Sequence, residues 1–464
     1  MTLQAYHDFL SSKRIMDVET GIHGDLDLPD YLFAHQRVIT GWALRRGRAA
    51  VFAGTGLGKT RIELVWSDRV SKFTQRPVLL LSPLAVAPQH LKEAQACALQ
   101  AKIVWSGGGL GDAQQLTGIT NYQKLENFDL SAFGGIALDE SSILKNESGH
   151  YRNRLIELAA AIPFRLAATA TPAPNDYMEL GNHAEFLGIM TYHAMLASFF
   201  THDGSETQKW RLKGHAEQAF WRWMASWSVV LTKPSDLGFP DDGYDLPLLR
   251  QRLHRVETAR SGFDLFPVEA KTLAERRAAA RDSMPARITI AISLTPSDRP
   301  YVWWGNLNAE TEAVTAGIPG AVEVRGSDKD DDKAAKLRDF SEGRIRVLVT
   351  KPSIAGFGMN WQHCANTGFI GLNDSFEQVY QAIRRFWRFG QQNEVDVDFI
   401  AADTEGAVIA NLDRKERDAE RMVAAMVKAM AGFSAEAVRG AATSQVDYTP
   451  GQGMRLPNWE EFAA

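Results

Sequence analysis

Apolar residues in this chain fall into short runs separated by stretches of helical period, and the runs gather in two blocks. In the first, from about residue 30 to 190, strands are predicted at Ala49 to Ala53, Val78 to Ser82, Ile103 to Trp105, Gly118 to Thr120, Gly135 to Leu138 and Arg165 to Ala168. In the second, from about 286 to 402, they are predicted at Tyr301 to Trp304, Ala321 to Val324, Arg344 to Thr350, Thr367 to Leu372 and Val395 to Ile400. Strands alternating with helical stretches predict an α/β fold with mostly parallel sheets. Between the blocks, 191–285 reads as helical and aromatic, with Trp210, Trp221, Trp223 and Trp227. Residues 404 to 431 read as one long helix with Val408, Ile409, Leu412, Val423, Met426, Val427 and Met430 as its apolar positions. The tail from about 432, with Gly440, Pro450, Gly451 and Gly453, reads as extended, Trp459 being a candidate anchor. The expected division is a unit over 1–190, a helical insertion over 191–285, a second unit over 286–403, and a brace helix with tail over 404–464.

At 464 residues the chain exceeds one ordinary domain, which agrees with two blocks. Its 45% hydrophobic and 23% charged content is that of a globular protein, and no run approaches the ~18 apolar residues of a membrane span. Met1 to Met16 has neither the apolar stretch of a secretory signal nor an evident transit pattern, so a cytoplasmic protein is expected. Cys97 and Cys364 lie far apart, without the spacing of a disulfide framework or a zinc site, and read as core residues. The net charge of -5 does not by itself announce a nucleic-acid partner, although a cleft lined locally with Lys and Arg can bind phosphates.

Three constellations carry chemistry. In Ala53-Gly54-Thr55-Gly56-Leu57-Gly58-Lys59-Thr60, the glycines let the backbone aim N–H groups at phosphate oxygens. Lys59 can reach the β- and γ-phosphates, the Thr60 hydroxyl can ligate Mg²⁺, and the following helix adds its dipole. Asp139-Glu140 follows the Gly135 to Leu138 run, where Asp139 would hold Mg²⁺ and Glu140 would polarise the attacking water. Gln381, Arg385 and Arg388 fall at i, i+4 and i+7 of a helix predicted over Phe376 to Phe389, with Arg384 beside them. Such a stripe can supply arginine fingers to a nucleotide held elsewhere, or form a basic surface.

Together these residues resemble the superfamily 2 helicase-like ATPases, and within them the Swi/Snf-like branch of DNA translocases, over most of residues 30 to 415. Gln36 resembles the adenine-reading glutamine, Thr55 to Thr60 motif I, Ser82-Pro83-Leu84 motif Ia and Thr120-Asn121-Tyr122 motif Ib. Asp139-Glu140 with Leu144-Lys145-Asn146 is similar to motif II, and Thr169-Ala170-Thr171-Pro172 with Asn175 to motif III. Ala355-Gly356-Phe357-Gly358-Met359-Asn360 resembles motif V, and Gln381-Ala382 with Arg385, Arg388 and Gly390-Gln391 motif VI. The chain departs from that pattern at Ser141-Ser142, where Ala-His is usual, and at Trp387, where a His is common.

The resemblance implies two tandem RecA-like domains with parallel sheets, ATP and Mg²⁺ as ligands, and DNA-stimulated hydrolysis with movement along a duplex. It assigns Lys59, Glu140, Arg385 and Arg388 to catalysis, and Gln36, Thr55, Gly56, Gly58, Lys59, Thr60, Asp139, Gly358 and Gln381 to the nucleotide, with Thr60 and Asp139 on the metal. Ser82, Thr120, Asn121, Lys351 and Asn360 are the candidate phosphate-backbone contacts on double-stranded DNA, each equally readable as a cap. The chain looks most like the compact versions of bacteriophages and bacteria, which implies bacterial or phage-infected host cytoplasm and no membrane partner. Two alternatives stay open: a strand-separating helicase with an aromatic pin from 191–285, and an ATP-switched DNA-binding subunit beside a nuclease or in a defence complex. A replication or recombination partner is equally open, and an RNA helicase is disfavoured by the motif VI match.

Overall fold

A computed structural model of the chain describes residues 19–84, 86–111, 114–145, 149–173, 176–202, 210–256, 281–355, 360–371, 376–402 and 406–438. The fold is α/β, built on two parallel sheets. The first comprises β1 (Arg48–Ala53), β2 (Val78–Ser82), β3 (Ala101–Ile103), β4 (Thr117–Asn121), β5 (Gly135–Asp139), β6 (Phe164–Thr169) and β9 (Ser228–Leu231), in the order β3-β4-β2-β5-β6-β1-β9. A short antiparallel ribbon joins β7 (Phe200–His202) to β8 (Trp210–Leu212). The second sheet comprises β10 (Leu249–Val256), β11 (Tyr301–Gly305), β12 (Ala321–Glu323), β13 (Val347–Thr350), β14 (Asn366–Ile370) and β15 (Val395–Ala402), in the order β10-β15-β14-β11-β13-β12.

The central strands are apolar at nearly every position because helices cover both faces of each sheet. Alternate residues therefore enter different cores. In β1, Ala50 and Phe52 join one core, whereas Ala49, Val51 and Ala53 join the other. In β11, Val302 and Trp304 face one side while Tyr301 and Trp303 face the opposite side. Helices Ala34–Arg46 and Lys59–Thr74 cover the first sheet on one face with Ile39, Trp42, Ile62, Trp66 and Val70.

The stretch 191–285 differs from its helical reading. It does contain helices Tyr192–Phe199 and Glu217–Trp227, yet it also supplies β9 to the first sheet and β10 to the edge of the second. Ser228-Val229-Val230-Leu231 follows the tryptophan-rich helix without a break, which hides it as a separate run. β10 is polar and mostly exposed, so it lacks the apolar signature of the other strands. Cross-strand charge holds it: Arg250 pairs with Glu394, Arg252 lies 2.5 Å from Asp396, and His254 Nε2 lies 2.8 Å from Asp398 Oδ1. Trp221, Trp223 and Trp227 are buried beneath the first sheet, and Trp210 is half-buried in β8, so none is an exposed pin.

The C-terminal helix runs Gly406–Val438, seven residues past the predicted end and into the expected tail. Met426 and Met430 are buried in the core beneath the first sheet, and Ala419 packs against the core of the second, so this helix bridges the two. The N-terminal stretch 1–18 and the tail 439–464, including Trp459, lie outside the described residues, as do Asn146, Asn175, Gly358 and Leu372.

Candidate functional site

The phosphate-type loop joins β1 to the helix Lys59–Thr74, and its backbone needs glycine where the sequence has it. Gly56 and Gly58 have φ of +90° and +84°, a region that costs other residues ~1–2 kcal/mol. The loop is buttressed on both sides. The Gly54 N–H donates to Leu231 O of β9 at 2.9 Å, and the Leu57 carbonyl accepts from Gln36 Nε2 at 3.2 Å. Gln36 is buried, and its Oε1 accepts from the Phe33 N–H at 3.2 Å, so both ends of the amide are engaged within the protein. Lys59 Nζ folds back onto Ala53 O at 2.7 Å and Gly54 O at 3.3 Å. Burial lowers the Lys59 pKa, opposed by the charges of Glu140, Asp139 and Glu63, while Arg388 adds to the lowering. Thr55 and Thr60 are half-buried, Thr60 standing in the first turn of the helix.

Asp139 ends β5 and Glu140 begins the turn. Glu140 has φ of +55°, an unusual conformation for a non-glycine residue that its surroundings must hold. Thr169 Oγ1, at the end of β6, donates to Glu140 Oε2 at 3.4 Å and accepts from the Thr171 N–H at 3.2 Å, so the Thr169-Ala170-Thr171 stretch contacts the carboxylate directly. The Tyr122 hydroxyl donates to Asp139 O at 2.6 Å. Ser141 Oγ lies 3.1 Å from His183 Nε2, both buried, with His183 pushed down to about 4 by burial and therefore neutral.

One constellation was not legible as a motif. Glu63 and His90 are fully buried beside Asp139, with His90 Nε2 3.3 Å from Glu63 Oε2 and 3.5 Å from Asp139 Oδ2. Burial alone would lower the His90 pKa, but its hydrogen bond to the Glu63 carboxylate and the charges of Asp139 and Glu63 raise it to about 9. Burial and the Glu63 charge raise Asp139 to about 6, against the pull of His90 and Lys59. One donor atom from each of the three lies within 4.8 Å of the others, a set that could also hold a divalent ion. The signal for it would have been Glu63 one helical turn after Lys59, facing a His on the helix Ala87–Ala96.

The arginines arrive from the second sheet. The helix predicted over Phe376 to Phe389 ends at Ile383, and the chain then tightens into turns, with Arg385 N–H to Ala382 O and Phe386 N–H to Ile383 O. Past that stop, Gln391 Nε2 donates to the Phe386 carbonyl in place of the N–H a continued helix would have supplied, and it also reaches the Gln362 and Cys364 carbonyls. Arg385 Nη2 donates to Gln381 Oε1 at 3.2 Å, and both side chains are buried. Arg384 instead stacks over Tyr380 and Trp387 at 4.9 and 4.4 Å. Burial and the like charge of Arg388 push Arg385 down to about 9, with Glu140 and Asp139 pulling it back, so it remains charged at neutral pH. Arg388 is also lowered by burial, and its Nε has no hydrogen-bond partner among the described residues.

The two halves touch at the loop. A methyl group built on Gly56 would stand 2.8 Å from the backbone N and Cβ of Phe389. Phe389 also packs on Tyr244 with centroids 4.5 Å apart and on Phe33 at 6.1 Å, forming an aromatic rim beside Gln36 whose Phe33 ring is 45% exposed. Its three rings lie far apart in sequence, which concealed it.

The candidate DNA contacts fare differently. Ser82, Thr120 and Asn121 sit side by side at the C-terminal ends of β2 and β4, not on loops, and all three are buried. Thr120 Oγ1 and Asn121 Oδ1 have no hydrogen-bond partner among the described residues. Lys351 follows β13 and lines a cleft of about 160 Å³ with Arg325, Ser327 and Asn308, while Asn360 is exposed. Among the described residues no helix is long and apolar enough to cross a membrane.

No family model matches the chain. It is similar to the protein p41 of Acyrthosiphon pisum secondary endosymbiont phage 1, with 24% identity over 412 residues, covering 76% of this chain and 87% of that protein.

Proposed function

We propose that this chain is an ATP hydrolase of the superfamily 2 helicase-like type, in its Swi/Snf-like branch, that couples hydrolysis to movement on double-stranded DNA. The observation that carries this reading is the meeting of the glycine loop, the Asp139-Glu140 pair and the Arg385 to Phe389 segment at one place, with Phe389 against Gly56. The two parallel sheets are then two RecA-like domains, and the nucleotide lies between them.

The residues present fit a nucleoside triphosphate with Mg²⁺. Positive-φ glycines leave room for phosphate, and Lys59, Arg385 and Arg388 bring three cations to a polyanion, among them a buried Arg388 Nε that has no acceptor among the described residues. Thr60 and Asp139 would hold the cation, which neutralises charge on the phosphates. Lys59 exchanges its loop carbonyls for phosphate oxygens. Glu140, held by Thr169, orients the attacking water and receives its proton, while Arg385 and Arg388 stabilise charge gathering on the departing phosphoryl group. The aromatic rim of Phe33, Tyr244 and Phe389 offers a stacking surface for the base next to Gln36.

On DNA, the exposed Asn360 and half-buried Lys351 are better placed for backbone phosphates than Ser82, Thr120 and Asn121, whose side chains would have to be uncovered first. The burial of Trp221, Trp223 and Trp227 favours tracking on a duplex over strand separation by an aromatic pin. The phage relative supports action in a phage-infected bacterial cytoplasm. Comparing ATPase rates of the wild type and Glu140→Gln with and without duplex DNA tests the reading: hydrolysis that is DNA-stimulated and abolished by the substitution supports it, and a rate that survives the substitution overturns it.

A further inference from the structure

We propose that His90 and Glu63 form a positioning pair that fixes the carboxylate of Asp139 for the cation at the nucleotide site. The inference rests on the hydrolase reading above and adds two residues outside the motifs that suggested it.

Glu63 and His90 have no exposure to solvent, and Asp139 keeps only 7% of its surface. One edge of the His90 ring serves both carboxylates, its Nε2 standing 3.3 Å from Glu63 Oε2 and 3.5 Å from Asp139 Oδ2. Its Nδ1 lies 3.2 Å from Val86 O, so the ring is held from both sides. Asp139 Oδ2 is thereby held against the imidazole, and the Glu140 N–H reaches the same carboxylate. The main chain at Asp139 is held separately, by the Tyr122 hydroxyl on its carbonyl. A carboxylate anchored at one oxygen and at its backbone has little freedom to turn, which is what a cation ligand needs.

The two helices that carry the pair are tied a second time, because Arg61 Nε donates to Glu93 Oε1 at 2.6 Å. Arg61 and Glu63 therefore face Glu93 and His90, locking Ala87–Ala96 against Lys59–Thr74. That lock ties Val86, which caps Ala87–Ala96, to the helix that follows the glycine loop.

The test titrates free Mg²⁺ against the ATPase rate at saturating ATP with duplex DNA, for the wild type, His90→Ala, His90→Gln and Glu63→Gln. Thermal melting checks folding, and affinity for a fluorescent ATP analogue is measured with and without Mg²⁺. In His90→Ala the half-saturating Mg²⁺ rises on the order of 10- to 100-fold while affinity without Mg²⁺ is unchanged. His90→Gln, which keeps an N–H donor near the same point, recovers most of the loss, and Glu63→Gln gives a smaller shift because His90 then has a single charged partner. An unchanged Mg²⁺ dependence in His90→Ala overturns the proposal, as does a loss of folding that His90→Gln restores without restoring Mg²⁺ affinity. Stoichiometric metal in purified wild type that is absent from His90→Ala also overturns it, since the three side chains would then be ligands. If the wild type hydrolyses no ATP, the hydrolase reading fails on its own, and the Mg²⁺ dependence of analogue affinity still decides the pair. Should His90→Ala not fold, the comparison of Glu63→Gln with His90→Gln carries the same test.

Discussion

Replacing Gly56 by alanine places a wedge between the phosphate loop and the arginine segment. The new Cβ would lie 2.8 Å from the Phe389 backbone nitrogen and Cβ, whereas carbon contacts settle at ~3.5–4.0 Å. Phe389 must retreat by roughly 0.7–1.2 Å, and because the obstacle is backbone it carries neighbouring Arg388 and Arg385 with it. The φ of +90° adds a cost of ~1–2 kcal/mol to the folded chain. Misplacing groups that act only in the transition state by ~1 Å lowers the chemical step on the order of 100-fold. The expected outcome is a kcat reduced by about that factor, with affinity for a fluorescent ATP analogue held within about threefold. Gly343→Ala is the matched control, because its φ is +75° with nothing within 4 Å of a built Cβ, so it carries backbone strain without a wedge. Stopped-flow single turnovers and equilibrium binding measure both quantities. A Gly56→Ala enzyme with wild-type kcat would refute the claim that the contact with Phe389 sets the hydrolysing arrangement, and an equal loss of binding would place the damage in the loop itself.

Other substitutions separate the roles further. Glu140→Gln should lower kcat by about 10²- to 10⁴-fold while a filter-binding assay still finds bound ATP. Trp223→Ala removes a fully buried ring from the core beneath the first sheet and should destabilise that unit by about 3–5 kcal/mol, read by chemical denaturation. Raising the pH tests the buried triad: His90 rises from 6.5 to about 9 on folding, so its stabilisation is complete below about pH 6.5 and is lost as the pH climbs through 9. Denaturation midpoints should fall across that window in the wild type and less in His90→Gln. Activity should fall as the pH drops through about 6, where Asp139 takes up a proton and can no longer hold a cation.

Much of the parallel-sheet framework was legible because strands covered on both faces leave apolar runs that need no context. Every run predicted in the two blocks lies at or beside a strand of the structure, the widest disagreement being β3, which ends at Ile103 where the predicted run began. β10 was invisible for the opposite reason: its exposed Arg250, Arg252 and His254 gain their partners only when Glu394, Asp396 and Asp398 come alongside. The helix said to carry the arginines was overextended, since helical spacing cannot register that Gln391 will satisfy the Phe386 carbonyl. Local motifs placed the loop, Asp139 and Glu140 at strand ends. They could not locate the Phe33, Tyr244 and Phe389 rim or the Glu63–His90 pair, whose members meet only through tertiary packing. The buried positions of Ser82, Thr120 and Asn121 were missed because a small polar residue at a strand end reads the same whether covered or open.

The central claim is that the glycine loop feeds a DNA-driven hydrolytic cycle. It is tested most directly by steady-state ATPase rates of the wild type and Lys59→Ala with no nucleic acid, single-stranded DNA, duplex DNA and RNA. Strong stimulation by duplex DNA that vanishes in Lys59→Ala is the predicted result, and the absence of hydrolysis under every condition would contradict it.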